Sequence, residues 1–370
     1  MQRVWKMLFF ALLLFLLIYA GLIVTLLFAQ PKTEPLIFEK HGGTAVVITG
    51  AAARIVQEAA LLENLQKKGW LSNICFISGT SSGAINTVML NGILEKKFTW
   101  ERYHSILFNI TNHDIFIRTG KSLPVNNEPL QNLLAKVVND SLGYKSIGDL
   151  PYQSSISISA IDILPPFSTT YRLCNLKINN ESNPAFNLVE TLLASTAIPI
   201  LFPATRFSES FGLPNSSYVD GGFSNDHIPF EAVLQFEKFR GVGVDTLIIV
   251  SRKSDTKQGI KNEVDKFGDT DSKTFDKLSY WIDNLAMNGF IRSMKEIQKE
   301  YPELAARTFV YIPDFDENFA LLDFTEMKRQ YEVTASWAET HKPIPLNQYL
   351  EENTHDNKLK VMENDNSSDK

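Results

Sequence analysis

The stretch FISGTSSGAINT, residues 76–87, sets an apolar run directly before Gly79-Thr80-Ser81-Ser82-Gly83 and a helix-compatible run after it. A GxSxG sequence between a strand and a helix marks a sharp turn that presents a nucleophilic serine. Ser81 holds the central position, and Gly79 and Gly83 are expected to permit the turn. So short a pattern also arises by accident, so its weight comes from the flanking order. Upstream, TAVVIT (44–49) reads as a buried strand that Gly50 ends, and Ile55, Ala59, Leu62 and Leu65 trace one face of a helix from Ala51 to Lys68. NICFIS is a second buried strand, and Ala84–Leu94 a second helix. Strand, helix, strand, turn and helix in that order predict an α/β protein built on a mostly parallel sheet.

Further along, residues 98–187 mix helical segments such as PLQNLLAKVV with asparagine-rich turns and one strand, SSISISAID, and are expected to cap a substrate cleft. Residues 188–203 predict a helix that stops before Pro199; SYVD and VDTLIIVS are strands, residues 273–300 a long amphipathic helix, RTFVYIP a strand and Thr325–Glu339 a closing helix. There is no internal repeat.

Composition narrows the function classes. The 370 residues are 44% apolar, enough for a full core, and the net charge of −6 arises from interspersed acids and bases. Without a basic face, nucleic acid is not expected as a partner. Two cysteines, Cys75 and Cys174, are too few for a zinc site, and Cys75 lies in an apolar strand as a buried thiol, so neither a disulfide nor a metal is predicted. At the N-terminus, Arg3 and Lys6 precede an uncharged stretch from Met7 to Ala29. As a helix it would extend roughly 34 Å, enough to cross a bilayer. The expected organisation is a membrane anchor over 1–30, a linker over 31–43, a catalytic domain over 44–345 and an acidic disordered tail over 346–370. The basic flank puts the N-terminus in the cytosol and the rest on the far side, lumenal or extracytoplasmic; cleavage of the segment as a signal peptide, giving a secreted protein, is the alternative. Five Asn-x-Ser/Thr sites, at Asn109, Asn139, Asn180, Asn215 and Asn366, would suit that side.

A serine nucleophile needs a base. Of six histidines only His227 and His341 stand where a Ser-Asp-His hydrolase would want one, and the serine turn comes too early in the chain for that fold. YVDGG offers a carboxylate instead, Asp220, at the end of a short apolar run with Gly221 and Gly222 behind it. Taken alone, Asp-Gly is a common turn.

Three blocks in order, GTSSGAIN, ASTAIPILFP (Ala194–Pro203) and DGG, resemble the patatin-like phospholipase family over about residues 44–340. The resemblance implies a three-layer α/β/α fold, hydrolysis of acyl esters in membrane phospholipid or other lipids, no cofactor or metal, Ser81 as nucleophile and Asp220 as base. It also implies an oxyanion hole of backbone amides from a glycine-rich turn, here ITGAAARIV: Gly50, Ala51, Ala52 and Ser82 are the expected contributors. Arg54 matches the family's basic position and is expected either near a phosphate or in a structural role. The departures are Ala51, Ala52 and Ala53 in place of flexible positions, Ile55 in place of a later glycine, and one extra residue in DGGFSNDHIP, so that Asn225 and Pro229 match loosely. A positive φ at an alanine costs roughly 1–2 kcal/mol. The rival reading is therefore a pseudoenzyme that keeps the fold as a lipid-binding or interaction module.

Overall fold

Strand β1 (Thr44–Ile48) shows why the sheet lies inside: Val46 and Ile48 belong to one apolar core and Ala45 and Val47 to another, so both faces are covered. The computed structural model describes residues 34–118, 123–161, 168–224, 226–253 and 270–353. The segment expected to anchor the chain lies outside them, as does Asn225. Among the described residues no helix is long and apolar enough to cross a membrane.

The strands are β1, β2 (Ile74–Thr80), β3 (Ser154–Ile161), β4 (Ser168–Cys174), β5 (Ser217–Asp220), β6 (Thr246–Val250), β7 (Thr308–Tyr311) and β8 (Ile344–Pro345). They form one sheet in the order β4-β3-β2-β1-β6-β7-β8, with β5 added to β3. The run β3-β2-β1-β6-β7 is parallel, as the strand–helix alternation predicts. The margins are antiparallel: β4 and β5 on β3, and β8 on β7. The sheet is therefore mixed, and the sequence reading missed β4, whose TTYRLC carries too little apolar alternation to stand out.

Helices α1 (Ile55–Lys67), α2 (Ser82–Leu94), α3 (Trp100–Leu107), α4 (Glu128–Leu134) and α5 (Leu188–Thr196) bury their apolar residues in the first core, together with Met327 and Ala338 of α8 (Met327–Thr340). The second core takes α6 (Glu231–Arg240) and Met287, Phe290, Met294 and Ile297 of α7 (Thr270–Glu300), whose spacing traces one helical face. Residues 346–353 are helical, and Leu346 and Leu350 bury in that core, so the expectation of a disordered tail is corrected for this stretch. Two apolar residues four apart close the fold where the surrounding polar sequence suggested none. Cys75 and Cys174 are both free, as expected.

One charged group sits in the first layer without a cation bonded to it. Glu58 of α1 is 0% exposed and accepts from Thr49 Oγ1 at 3.0 Å and Asn86 Nδ2 at 3.2 Å. Burial pushes its carboxyl up to about 8, although Arg252, Thr49 and Asn86 pull the other way. The folded value lies above that of an unfolded glutamate. The folded state therefore binds the proton more tightly, and its stabilisation is complete in acid and lost as pH rises towards about 8. Within that window the loss should approach about 1.4 kcal/mol per pH unit. Urea unfolding at pH 5 and pH 8.5 should show Glu58→Gln much flatter with pH than the parent chain; equal pH slopes would refute a protonated Glu58.

Candidate functional site

Strand β3 is the template on which the site is assembled. β4 covers one of its edges from Ser155 to Ile161, leaving the other for β2 and β5. β2 runs parallel along that edge until Thr80 faces Ser157. β5 then occupies the same edge in the opposite direction, and its last residue, Asp220, faces Ile158. The residue after Thr80 is Ser81, so two segments 139 positions apart in the chain (220 less 81) end head to head at consecutive positions of β3.

The turn at Ser81 is strained. Ser81 has φ 56° and ψ −132°, a region that residues with a Cβ rarely enter and that marks functional turns. The flanking glycines serve a different purpose from the one expected of them: neither has a positive φ, and both are needed for close approach. A Cβ on Gly83 would lie 2.3 Å from the Thr49 carbonyl oxygen, and one on Gly79 equally close to that of Gly83. Gly50 is needed in the same way, since its Cβ would fall 2.9 Å from that of Ser81. Gly221 packs against Ser157 and Thr80, and Gly222 donates its N–H to Asp220 Oδ1 at 2.9 Å.

Block ASTAIP supplies the clamp. Ser195 Oγ accepts the N–H of Ser81 at 2.9 Å and donates to the Ser157 carbonyl at 2.7 Å, while the Ala197 carbonyl accepts the N–H of Asp220 at 3.1 Å. One short segment thus fixes the backbones of both residues. Asp220 is 7% exposed. Burial raises its carboxyl to about 6, opposed by hydrogen bonds from the Ser81 side chain and the Gly222 amide. A carboxylate so placed can take a proton from the adjacent hydroxyl.

The alanine turn is resolved residue by residue. Ala52 has φ 47°, so a positive φ is required there and alanine bears it; Ala51 does not share it, with φ −134°. The Ala51 amide donates to Ser82 Oγ at 2.7 Å, which corrects the expectation that it is an available oxyanion donor. The Ser82 hydroxyl, at the first position of α2, reaches back to take it. The amides of Ala52 and Ser82 have no hydrogen-bond partner among the described residues, and both residues line the cavity at Ser81. Arg54 is structural: its Nε donates to the Phe319 carbonyl at 2.9 Å and its Nη1 to Asp283 Oδ2 at 2.8 Å. A phosphate role for it is corrected on that ground, since the guanidinium is already committed to α7.

Two cavities meet at Ser81. The first is almost wholly apolar, walled by Ile85, Val88, Met89, Leu107, Leu134 and Phe202, among others. Much of that wall comes from α3 and α4, in the stretch expected to cap a cleft. The second, of about 370 Å³, holds Thr80, Asp220, His227, Arg252, Asp283 and Arg292. His227 lies inside this cavity with its ring packed against Gly222 and Gly289, but no hydrogen bond joins it to Ser81 or Asp220 among the described residues. His341 stacks on Trp337 at a centroid distance of 4.2 Å and bonds its carbonyl, so it takes no part in a triad with Ser81.

Sequence reasoning missed Ser195, which looked like one polar residue in a helix, and the network that holds the loop after DGG. There Arg172 of β4 pairs with Asp226 through Nη2 at 2.8 Å and with Glu231 at 3.2 Å, and Ser157 also bonds Asp226. Among the described residues there is no cluster of side chains that could hold a metal.

The profile of the family described as Patatin-like phospholipase matches residues 46–234, which include Ser81, the Ser195 clamp and Asp220. No curated protein matches the chain. Among solved structures, VipD from Legionella pneumophila superposes with a TM-score of 0.43 at 10% identity, over 84% of this chain and 71% of its own. The type III effector protein ExoU gives 0.36 at 12% identity, over 80% of this chain and 53% of its own, so the chain spans about half the length of ExoU.

Ser195→Ala leaves the Ser81 N–H buried without an acceptor, and urea unfolding should show a loss of about 1–3 kcal/mol. Ala52→Gly relieves the positive φ and, after the added freedom of the unfolded chain, should gain up to about 1 kcal/mol. A loss of stability in Ala52→Gly would contradict the strained turn.

Proposed function

The chain belongs to the patatin-like phospholipase family, and on that premise we propose that it hydrolyses lipid acyl esters with Ser81 as nucleophile and Asp220 as base. The observation that carries this reading is the head-to-head meeting of β2 and β5 on β3, which sets a strained serine beside a buried carboxylate whose proton affinity is raised.

Ser81 Oγ attacks the ester carbonyl carbon as Asp220 takes the hydroxyl proton. The carbonyl oxygen becomes an oxyanion, for which the amides of Ala52 and Ser82 are the available donors; a single such donor is commonly worth about 3 kcal/mol in the barrier. Collapse expels the alcohol, which leaves with the proton from Asp220, and the acyl group stays on Ser81. Water then attacks the acyl-enzyme, Asp220 accepts its proton, and release of the fatty acid returns the proton to Ser81. The apolar cavity beside Ser81 suits an acyl chain, because burying methylenes there is favourable by about 0.8 kcal/mol each. The free amides at Ala52 and Ser82 favour an active enzyme over a pseudoenzyme. The apolar segment 7–29 supports a membrane-anchored enzyme held beside its substrate, with its catalytic domain on the lumenal or extracytoplasmic side.

The full chain should label with a fluorophosphonate and hydrolyse a soluble short-chain 4-nitrophenyl ester; Ser81→Ala and Asp220→Asn should each lower kcat at least about a thousandfold without unfolding. Activity that persists in Ser81→Ala would refute the assignment. Since Asp220 must be ionised to act as base, kcat/KM should rise with pH through about 6 and level off above it. A profile flat from pH 4.5 to 8 would exclude Asp220.

A further inference from the structure

The hydrolytic steps leave His227 without a task, although it lies in the same cavity as Ser81 and Asp220. Two glycines on different elements make the slot that holds its ring. A Cβ on Gly289 of α7 would fall 1.9 Å from its Cδ2 and 2.1 Å from its Nε2, and one on Gly222 would fall 3.2 Å from its Nδ1. Neither glycine has a positive φ, so what they supply is space for the ring and not backbone freedom. The ring is partly buried and makes no hydrogen bond among the described residues. Polar side chains withdrawn from solvent are nearly always bonded, so an imidazole held this way calls for a partner from outside the chain.

The Nδ1 edge of the ring is turned towards the base. The point that a Gly222 Cβ would occupy is 3.2 Å from His227 Nδ1 and also 3.2 Å from Asp220 Oδ1, so the two polar atoms stand no farther apart than twice that distance and flank the same space. With no direct bond between them, a single water can span the gap and donate one hydrogen to each. Oδ1 already receives the Gly222 N–H at 2.9 Å, which leaves its other lone pair for the water. Burial first, and then the cations of Arg252 and Arg292, hold the imidazole down at about 4, so near neutral pH it is uncharged and one of its nitrogens is an acceptor.

We propose that His227 is a catalytic residue of the second half-reaction: its Nδ1 and Asp220 Oδ1 hold the hydrolytic water between them and turn its oxygen towards the acyl carbon on Ser81. This rests on the reading of Ser81 as nucleophile and Asp220 as base. As the water oxygen bonds to the acyl carbon, Asp220 takes one of its protons; the other stays on that oxygen, hydrogen-bonded to Nδ1, and leaves with the fatty acid. Collapse breaks the bond between the acyl carbon and Ser81 Oγ, and the proton on Asp220 passes to Oγ. The imidazole neither gains nor loses a proton, as suits a ring whose basicity is suppressed. Its contribution is position, and a reacting atom misplaced by about an ångström costs about a hundredfold in rate. Acylation consumes no water and so proceeds without His227.

The test mixes the full chain with the short-chain 4-nitrophenyl ester, reading acylation as nitrophenolate release in stopped flow and deacylation as decay of the acyl adduct by quenched-flow intact mass. His227→Leu should keep the acylation rate and kcat/KM within about threefold of the parent while the adduct decays at least about tenfold more slowly, so that kcat and KM fall together. His227→Asn, which puts an amide oxygen close to the place of Nδ1, should recover most of the lost decay rate. Adduct decay unchanged in His227→Leu, or acylation and decay lowered alike in both variants as a merely structural residue would give, would overturn the proposal. Fluorophosphonate labelling of the parent chain reports separately on Ser81. A parent with neither label nor acyl adduct would remove the hydrolase reading and this role with it, whereas a parent that labels and turns over while its His227 variants deacylate normally would remove the role of His227 alone.

Discussion

The edge of β3 is shared by two strands that run towards each other. A strand edge offers one row of hydrogen-bonding groups, so β2 and β5 can both use it only by dividing it, β2 as far as Ser157 and β5 from Ile158. That division fixes where each ends, and Ser81 and Asp220 are the residues at the junction. Because β4 fills the opposite edge over the same length, β3 cannot slide without breaking both of its other pairings. The juxtaposition of Ser81 and Asp220 is thus a consequence of sheet register, and Ser195 and Ala197 lock the junction from the helix side.

The site carries its strain in two alanine-sized or polar residues rather than in glycine. Ser81 and Ala52 both have positive φ, and the glycines around them contribute space: Gly50, Gly79 and Gly83 let backbones approach closer than any Cβ would allow. This arrangement accounts for the alanine-rich turn. Only one of its three alanines occupies the demanding conformation, and another uses its amide to hold the Ser82 hydroxyl, so the loss of glycine costs the fold at a single position.

Burial also sorts the charged groups. Carboxylates without a bonded cation, Glu58 and Asp220, are pushed towards their neutral forms, whereas Asp283, between Arg54 and Arg252, stays ionised. The result is a cleft with an apolar arm, a carboxylate at the bend and guanidinium groups at the far wall. That wall is built by Arg252 after β6 and by α7, whose Gly289 leaves room for the His227 ring.

Much of this was written in local sequence. Short-range hydrophobic periods identified β1, α1, β2, α2 and the long α7, and GTSSG with DGG named the two residues that face each other, because turn chemistry and burial periods depend on neighbours in the chain. β4, the helical turn carrying Leu346 and Leu350, and the occupation of the Ala51 amide were not legible, since each depends on a partner distant in sequence. Arg54 shows the limit well: its position matched a family pattern, but whether its guanidinium faces a ligand or Asp283 is decided by where α7 packs. Sequence by itself determined the order of the central strands and helices and singled out Ser81 and Asp220 as the candidate pair. Tertiary structure alone decided which amides are free, which charges are neutralised and which arginines line the cleft, because these follow from desolvation and long-range pairing.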